Sequence, residues 1–153
     1  MASAVAGAWW CPLTPTRLLA LSPPALTAAL RERLHAAAAH ATQPATVTET
    51  TTLQAALTIA GPGARECFAR FCALDLRPQS MPLRGLRPGS VARTPGLLLR
   101  EGEQRYLALF GWALGEYVWQ VVEDAARRLG GRPAGADALA GLHASAEEVP
   151  AGA

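Results

Sequence analysis

Three cysteines, Cys11, Cys67 and Cys72, are the side chains of this sequence best suited to nucleophilic chemistry. A catalytic thiolate needs a base beside it and partial exposure to its substrate. Cys67 and Cys72 lie on or beside the apolar stripe of a predicted helix, and Cys11 stands between Trp10 and Pro12. Because cysteine is among the residue types most often buried, we interpret all three as inert core residues. Their odd number, without a CxxC pair, argues against a disulfide scaffold.

Three histidines are the next candidates for acid–base or metal chemistry. His35 and His40 are five residues apart, so one face of a helix does not present both of them. His143 lies in a weakly patterned stretch near the end of the chain. A metal site needs several ligands that converge on one point. We therefore predict that the histidines are solvated and that this chain binds no metal.

The run Gly61-Pro62-Gly63 separates a predicted strand from a predicted helix, a position where phosphate groups bind in other proteins. The run does not match GxGxxG, and Pro62 lacks one of the N–H donors that such a site uses. We therefore predict a tight turn here. Asp75 follows the same helix and is predicted to form a turn or a cap rather than to act as a general base. All 14 basic residues are arginines, which excludes every mechanism that needs a lysine of this chain.

Arginine and tryptophan are the notable surface candidates. Five arginines lie in or after a loop rich in Pro and Gly: Arg77, Arg84, Arg87, Arg93 and Arg100. They form either a partner-binding surface or a solvated basic loop, and the sequence leaves both interpretations open. Arg and Trp dominate the hot spots of protein interfaces. The predicted partner interface consists of Trp9, Trp10, Arg77, Arg84, Arg87, Arg93, Trp112 and Trp119.

Composition limits the class of protein. The chain has 153 residues, of which 50% are hydrophobic and 17% are charged, so it can form one packed domain. A net charge of +2 does not indicate a nucleic-acid footprint. No apolar run reaches the roughly 20 residues of a membrane span. The first ten residues carry no basic side chain before their apolar stretch, which is untypical of a secretory signal. We therefore expect a cytoplasmic protein that binds neither nucleic acid nor membrane.

Hydrophobic periodicity predicts three strand pairs that alternate with three helices. The predicted strands cover 8–11, 17–21, 46–52, 53–60, 90–101 and 104–110. The three predicted helices cover 22–41, capped by Ser22, then 64–72 and 113–129, and the weakly patterned stretch at 136–146 is expected to form a further short helix. Residues 75–89 have no period and are predicted to form a long loop. This alternation favours an α+β fold of the ferredoxin-like kind, an antiparallel-rich sheet with helices packed on one face.

The apolar stripe of the helix at 113–129 is the strongest periodic signal in the chain. It consists of Leu114, Tyr117, Val118, Val121, Val122, Ala125 and Leu129. We expect this stripe to pack on the sheet, and Gly130-Gly131 to end the helix. The predicted organisation is a flexible N-terminus at 1–7, a single domain at 8–130, and an Ala-, Gly- and Pro-rich tail at 131–153.

Several segments resemble one family. LTIAGPGARECFARFCALDLRP (57–78) is similar to its strand, GPxAR, helix and DL signature; SVARTPGLLLREGEQRYLALF (90–110) resembles its hairpin, and EYVWQVVEDA (116–125) its last helix. AWWCPLTPTRLLAL (8–21) resembles its early hairpin. The family is the gamma subunit of heterotetrameric sarcosine oxidase, whose fold is related to the folate-binding domain of glycine-cleavage aminomethyltransferase. One departure is Gly111-Trp112, where many gamma subunits carry Arg-Ser.

The resemblance implies a non-catalytic assembly subunit of a flavin-dependent complex that oxidises sarcosine or a related secondary amine. In such complexes the alpha subunit holds NAD and tetrahydrofolate, the beta subunit holds FAD, FMN lies between them, and a delta subunit binds zinc. The gamma subunit carries no cofactor and no catalytic residue, so we expect none on this chain. RRLGGRPAGADALAGL (127–142) also resembles aminomethyltransferase. A folate-binding protein that acts on one-carbon units is therefore the alternative.

Overall fold

The computed structural model describes residues 1–135 and 137–138. Its first part is a small antiparallel sheet of three strands, β1 (Ser3–Val5), β2 (Ala8–Thr14) and β3 (Arg17–Leu21), in that order. Ala6 and Gly7 have φ values of 51° and 75°, as a two-residue hairpin turn between twisted strands requires. The antiparallel pairing of β2 with β3 confirms the predicted hairpin at 8–21. β1 falls in the segment that we predicted to be a flexible N-terminus.

Helix α1 (Pro24–Ala39) follows the small sheet and buries none of its residues. Its start at Pro24, directly after Pro23, agrees with the prediction, because Pro is preorganised for the first turn. The predicted cap does not form. Pro23 occupies the N-cap position, and the hydroxyl of Ser22 lies 3.1 Å from that of Thr27 instead of at a free backbone N–H.

The main sheet contains four antiparallel strands in the order β4-β7-β6-β5. These are β4 (Gln54–Ala60), β5 (Leu86–Val91), β6 (Thr94–Gly102) and β7 (Arg105–Gly111). Helix α2 (Ala64–Ala69) follows β4, and α3 (Gly115–Arg127) follows β7. Gly130 has a φ of +77°, and the N–H of Gly131 bonds to the carbonyl of Ala126, which ends the helical segment at the two glycines as predicted.

Alternate residues of the main sheet bury into two separate clusters. The larger cluster lies between the sheet and helices α2 and α3, and its fully buried members include Phe68, Leu98, Tyr106 and Val118. The smaller cluster contains Cys11 and Leu99, with Trp9, Leu19, Leu21 and Leu107 packed against them. Leu98 and Leu99 are neighbours on β6, so the two clusters occupy opposite faces of the sheet. The main sheet therefore has α2 and α3 on one face and the small sheet on the other, and α1 borders the small sheet.

The predicted α+β class with an antiparallel sheet is confirmed; α2 and α3 are the helices that pack on one face of the main sheet, whereas α1 borders the small sheet. The small sheet on the second face was not predicted, because alternation within one strand does not show which sheet the strand joins. The chain from β4 to α3 has the order β-α-β-β-β-α. No helix of the described residues is long and apolar enough to cross a membrane.

Three predicted elements need correction. The prediction of a strand at 46–52 is wrong, because this stretch is irregular and leads into a single 3₁₀ turn at Thr51–Leu53. The strand at 90–101 is two strands, since Ala92 and Arg93 have φ values of 49° and 63° and form a hairpin turn. β5 begins within the predicted loop 75–89, where Pro88 and Gly89 concealed an edge strand. The predicted helix at 136–146 lies, apart from residues 137–138, outside the described residues.

Candidate partner-binding surface

The three cysteines are buried, as predicted, and their thiols are held in the neutral form. Burial, followed by the negative charge of Glu101, raises the pKa of Cys11 to about 11. Burial likewise raises the pKa values of Cys67 and Cys72. Since the thiolate is the nucleophile, these positions are poorly suited to covalent catalysis.

Both histidines within the described part of the chain are solvent-exposed, as predicted. His35 lies on α1, and His40 is the residue that ends this helix. His143 lies outside the described residues. Within residues 1–135 and 137–138, no three His, Cys, Asp or Glu side chains form a group that could hold a metal ion.

Asp75 is the centre of a small polar cluster in the loop before β5. Its carboxylate accepts hydrogen bonds from the Arg77 guanidinium at 2.6 Å, from the Ser80 hydroxyl at 2.7 Å and from the Arg77 backbone N–H at 3.0 Å. These bonds, the side-chain bond from Arg77 above all, hold the pKa of Asp75 far below its usual range. The predicted turn-forming role is confirmed, and a carboxylate with this pKa is a poor general base at neutral pH.

The arginines selected from the sequence do not form one patch of free cations. Arg77 is paired with Asp75, and Arg87 donates to the backbone carbonyl of Ser80 at 3.1 Å, which places both on the same loop. Arg84 and Arg93 are exposed in two different turns and have φ values of 61° and 63°. Arg100, the fifth arginine of the loop set, is 6% exposed and its guanidinium bonds to the carbonyl of Met81.

Trp9 and Trp10 lie on opposite faces of β2. Trp9 packs into the smaller core cluster with Cys11. Trp10 lines an apolar cleft of about 280 Å³ between the small sheet and α1, and its indole N–H donates to the carbonyl of Val5 at 3.4 Å. Trp9 is thus a structural residue, whereas Trp10 borders the cleft surface.

Trp112 and Trp119 lie later in the chain, and in the fold both are next to β4. They are 64% and 42% exposed, and Leu53, immediately before β4, is 56% exposed. Gln54 pairs with Gly111 in the antiparallel sheet, so Leu53, just before Gln54, and Trp112, just after Gly111, lie at the same end of the two strands. Large exposed aromatic and aliphatic side chains are characteristic of an interaction surface.

The strand beside these tryptophans has an open edge. β4 pairs with β7 on one side only, because it is the first strand of the sheet order. The N–H of Gly61 bonds to the carbonyl of Gln104, which extends the β4–β7 register by one pair. In an antiparallel ladder the hydrogen-bonded positions alternate. The backbone N–H and C=O groups of residues 54, 56, 58 and 60 therefore point away from β7, and within the described chain they have no hydrogen-bond partner.

The other edge of the sheet is covered. The N–H of Ala73 bonds to the carbonyl of Ser90 on β5, and the N–H of Ala92 bonds to the carbonyl of Phe71. An isolated antiparallel bridge joins Cys72 to Val91. β5 also contains Pro88, which cannot donate a hydrogen bond and protects an edge from pairing. The β5 edge of the sheet is thus protected, whereas the β4 edge is open.

A groove of about 340 Å³ runs between β4 and α3, and we refer to it as the β4–α3 groove. Its walls are residues 57–60 of β4, the turn 61–63, the flank of α3 that carries Trp119 and Val122, and residues 129–134. Gly61 has a φ of +119°, which fits the predicted tight turn. Trp119 is the only one of the eight predicted interface residues among the described residues lining this groove.

Comparison with known proteins gives a likeness at the level of fold. No protein-family model matches the chain, and no curated protein matches it. Among solved structures, the chain is similar to a chain of the heterotetrameric sarcosine oxidase from Corynebacterium sp. U-96 in complex with pyrrole 2-carboxylate. The TM-score is 0.68 with 24% sequence identity, over 87% of this chain and 66% of that one. The resemblance predicted from the sequence is thereby confirmed for the fold.

Proposed function

We propose that this chain is a non-catalytic, gamma-like assembly subunit of a multi-subunit, flavin-dependent sarcosine oxidase or of a related secondary-amine oxidase or dehydrogenase. The fold likeness to a chain of heterotetrameric sarcosine oxidase, with a TM-score of 0.68 over 87% of this chain, carries the proposal. The exposed tryptophans beside the open edge of β4 support it, since such a surface fits a chain that works inside an assembly.

In the proposed complex the redox chemistry belongs to the partner subunits. An alpha-like subunit would hold NAD and tetrahydrofolate, and a beta-like subunit would hold FAD. FMN would lie between these two subunits, and a delta-like subunit would bind zinc. The part of this chain that the structure describes would contribute surface and rigidity. Its thiols are buried and neutral. The carboxylate of Asp75, which was considered as a general base, is already bonded to Arg77 and Ser80.

The proposal is tested by isolating the chain, with a C-terminal affinity tag, from its own cells. We expect a complex larger than this chain with the absorbance of bound flavin and with sarcosine-dependent electron transfer to oxygen or to a dye. Reconstitution with and without this chain then separates assembly from chemistry. We expect the flavin of the other subunits to remain redox-active when this chain is omitted, while the complex becomes smaller or less stable.

The alternative, a folate-binding protein of the aminomethyltransferase kind, is favoured by one observation. The β4–α3 groove, at about 340 Å³, is within the size range of small-ligand pockets, and Trp119 and Glu123 line it. Calorimetry of the purified chain with tetrahydrofolate distinguishes the two functions. Stoichiometric binding by the chain alone would contradict the assembly role and support the alternative.

A further inference from the structure

We propose that the β4–α3 groove accepts an extended, apolar segment of a partner subunit, which adds to β4 as a fifth strand of the main sheet. This inference rests on the proposed function, because it names the surface through which the chain would enter the complex. Strand addition to an open edge is a recurrent mode of recognition, in which main-chain hydrogen bonds hold the segment and alternate side chains enter pockets.

The chemistry of the open edge determines the kind of occupant. Four N–H groups and four C=O groups, those of residues 54, 56, 58 and 60, point outward along β4. Only another extended backbone presents donors and acceptors at the matching spacing. Soluble proteins protect such edges with charges, prolines or a covering segment. β4 has the sequence QAALTIA, with neither a charge nor a proline, whereas β5 carries Pro88 and is covered by the chain at residues 71–73.

The walls of the groove specify the side chains of the occupant. Trp119, Val122, Ala126 and Leu129 present apolar surface beside β4. Two charged residues line the groove, and they differ in their partners. Glu123 is paired with Arg127 at 2.6 Å, whereas Arg132 is exposed and has no carboxylate partner among the described residues. We therefore infer a segment with apolar side chains toward α3 and one acidic group facing Arg132.

A second copy of this chain fits the groove less well. Paired edge to edge, it would direct its own Ala55, Leu57 and Ile59 toward the helix layer. These side chains already belong to the core of their own copy or pack against it, in the cluster that contains Val118 and Val122. They are not free to fill the groove of a neighbour, whose apolar wall around Trp119 would stay uncovered. A segment whose helix-facing side chains are free satisfies both the backbone edge and the wall.

The experiment compares amide hydrogen exchange in the free full-length chain and in the complex isolated from its own cells. In the free chain the amides of Ala56, Thr58 and Ala60 should exchange rapidly, because they point to solvent. In the complex we expect at least about tenfold protection at these three amides, since a strand hydrogen bond forms at each. The amides of Leu57 and Ile59, which point toward β7, are protected in both states and serve as internal controls.

Two matched pairs of variants test the same surface. Thr58→Pro removes an outward N–H without removing a bond to β7, and edge strands tolerate proline at such positions. We expect at least about tenfold less chain in the complex, whereas Thr58→Val, which keeps the N–H, should assemble normally. Trp119→Ala should also weaken assembly about tenfold or more. Tyr117→Ala, on the other flank of α3, should not. The unfolding temperature of each variant shows whether it is folded.

The outcomes separate this inference from the proposed function. A flavin-containing complex in which the three outward amides stay unprotected, and in which Thr58→Pro assembles normally, overturns the strand addition and leaves the function standing. Protection in a homodimer without flavin replaces the partner by a second copy and contradicts both. Protection that already exists in the free monomer means that the chain's own residues after 138 cover the edge, which also overturns the inference. If no partner co-purifies, the proposed occupant is refuted.

Discussion

Val118 is the residue whose truncation best tests the packing of α3 on the sheet. It is fully buried, lies in the first turn of the helix and belongs to the same core cluster as Leu57, Phe68 and Tyr106. Tyr117 precedes it, and the apolar stripe in the sequence includes both residues. The structure separates them, because Tyr117 is 44% exposed. Val118→Ala and Tyr117→Ala should therefore have very different effects, although periodicity alone treats them alike.

The expected cost of Val118→Ala follows from what it removes. Two buried methyl groups contribute about 1.6 kcal/mol at about 0.8 kcal/mol each, and the cavity left behind raises the loss to about 2–3 kcal/mol. For a chain of this length that corresponds to a fall in the unfolding temperature of about 5–10 °C. Tyr117→Ala leaves no cavity and should lower the free energy of unfolding by less than about 1 kcal/mol.

Urea denaturation of the two variants and of the parent chain, followed by tryptophan fluorescence and by circular dichroism, measures both values. The slope of free energy against urea should be unchanged, which shows that only the native packing has been altered. Equal losses in the two variants, or a loss below about 0.5 kcal/mol for Val118→Ala, would refute the placement of α3 described above.

Three further predictions concern polar and titratable groups. Burial and the charge of Glu101 raise the pKa of the Cys11 thiol from 9.0 to about 11, so the stability from its neutral form is complete below pH 9 and is lost as the pH rises through 11. The urea midpoint should therefore fall over that range, and less so in Cys11→Ala. Asp75→Asn should leave the turnover of the assembled complex within about twofold, because its carboxylate is a turn-former; a loss beyond about a hundredfold would assign it to catalysis. Arg100→Met should lower the free energy of unfolding by about 3 kcal/mol in urea titrations, since the carbonyl of Met81 loses its buried donor, and an unchanged midpoint would contradict this role.

Elements with strong local signals were predictable from the sequence. Helix α1 has a proline start, α3 has a strong period and a glycine stop, each of which acts within a few residues, and β4 alternates cleanly. The strand predicted at 46–52 failed because Thr and Val favour an extended chain only where a partner strand covers them. β5 was missed for the opposite reason. Its Pro88 and Gly89 are tolerated at an edge, and the pairing with β6 that makes it a strand is a tertiary property.

The candidate surface was only partly predictable. Exposure of Trp112 and Trp119 agrees with their selection, since Trp119 stands off the buried stripe of α3. Trp9 was selected by residue type alone, and its burial depends on the face of β2 that meets the main sheet. The open edge of β4 consists of backbone groups, so the residue types of the strand do not reveal it directly. The absence of a charge or a proline between Gln54 and Ala60 was the one available hint, and it has meaning only once the strand order is known.

On β4 and on α3, neighbouring residues have different roles: one stabilises the fold and the next faces the proposed partner surface. On β4, the side chain of Leu57 enters the core and its backbone bonds to β7, whereas the backbone of Thr58 faces the open edge. On α3, Val118 is buried while its neighbour Trp119 lines the groove. A change at one residue of each pair should therefore unfold the chain, and a change at the other should release it from its partner without unfolding it. If Thr58→Pro and Trp119→Ala instead lowered stability as much as Val118→Ala does, the edge and the groove would be part of the fold, and the surface through which this chain assembles would have to be sought at the cleft beside Trp10.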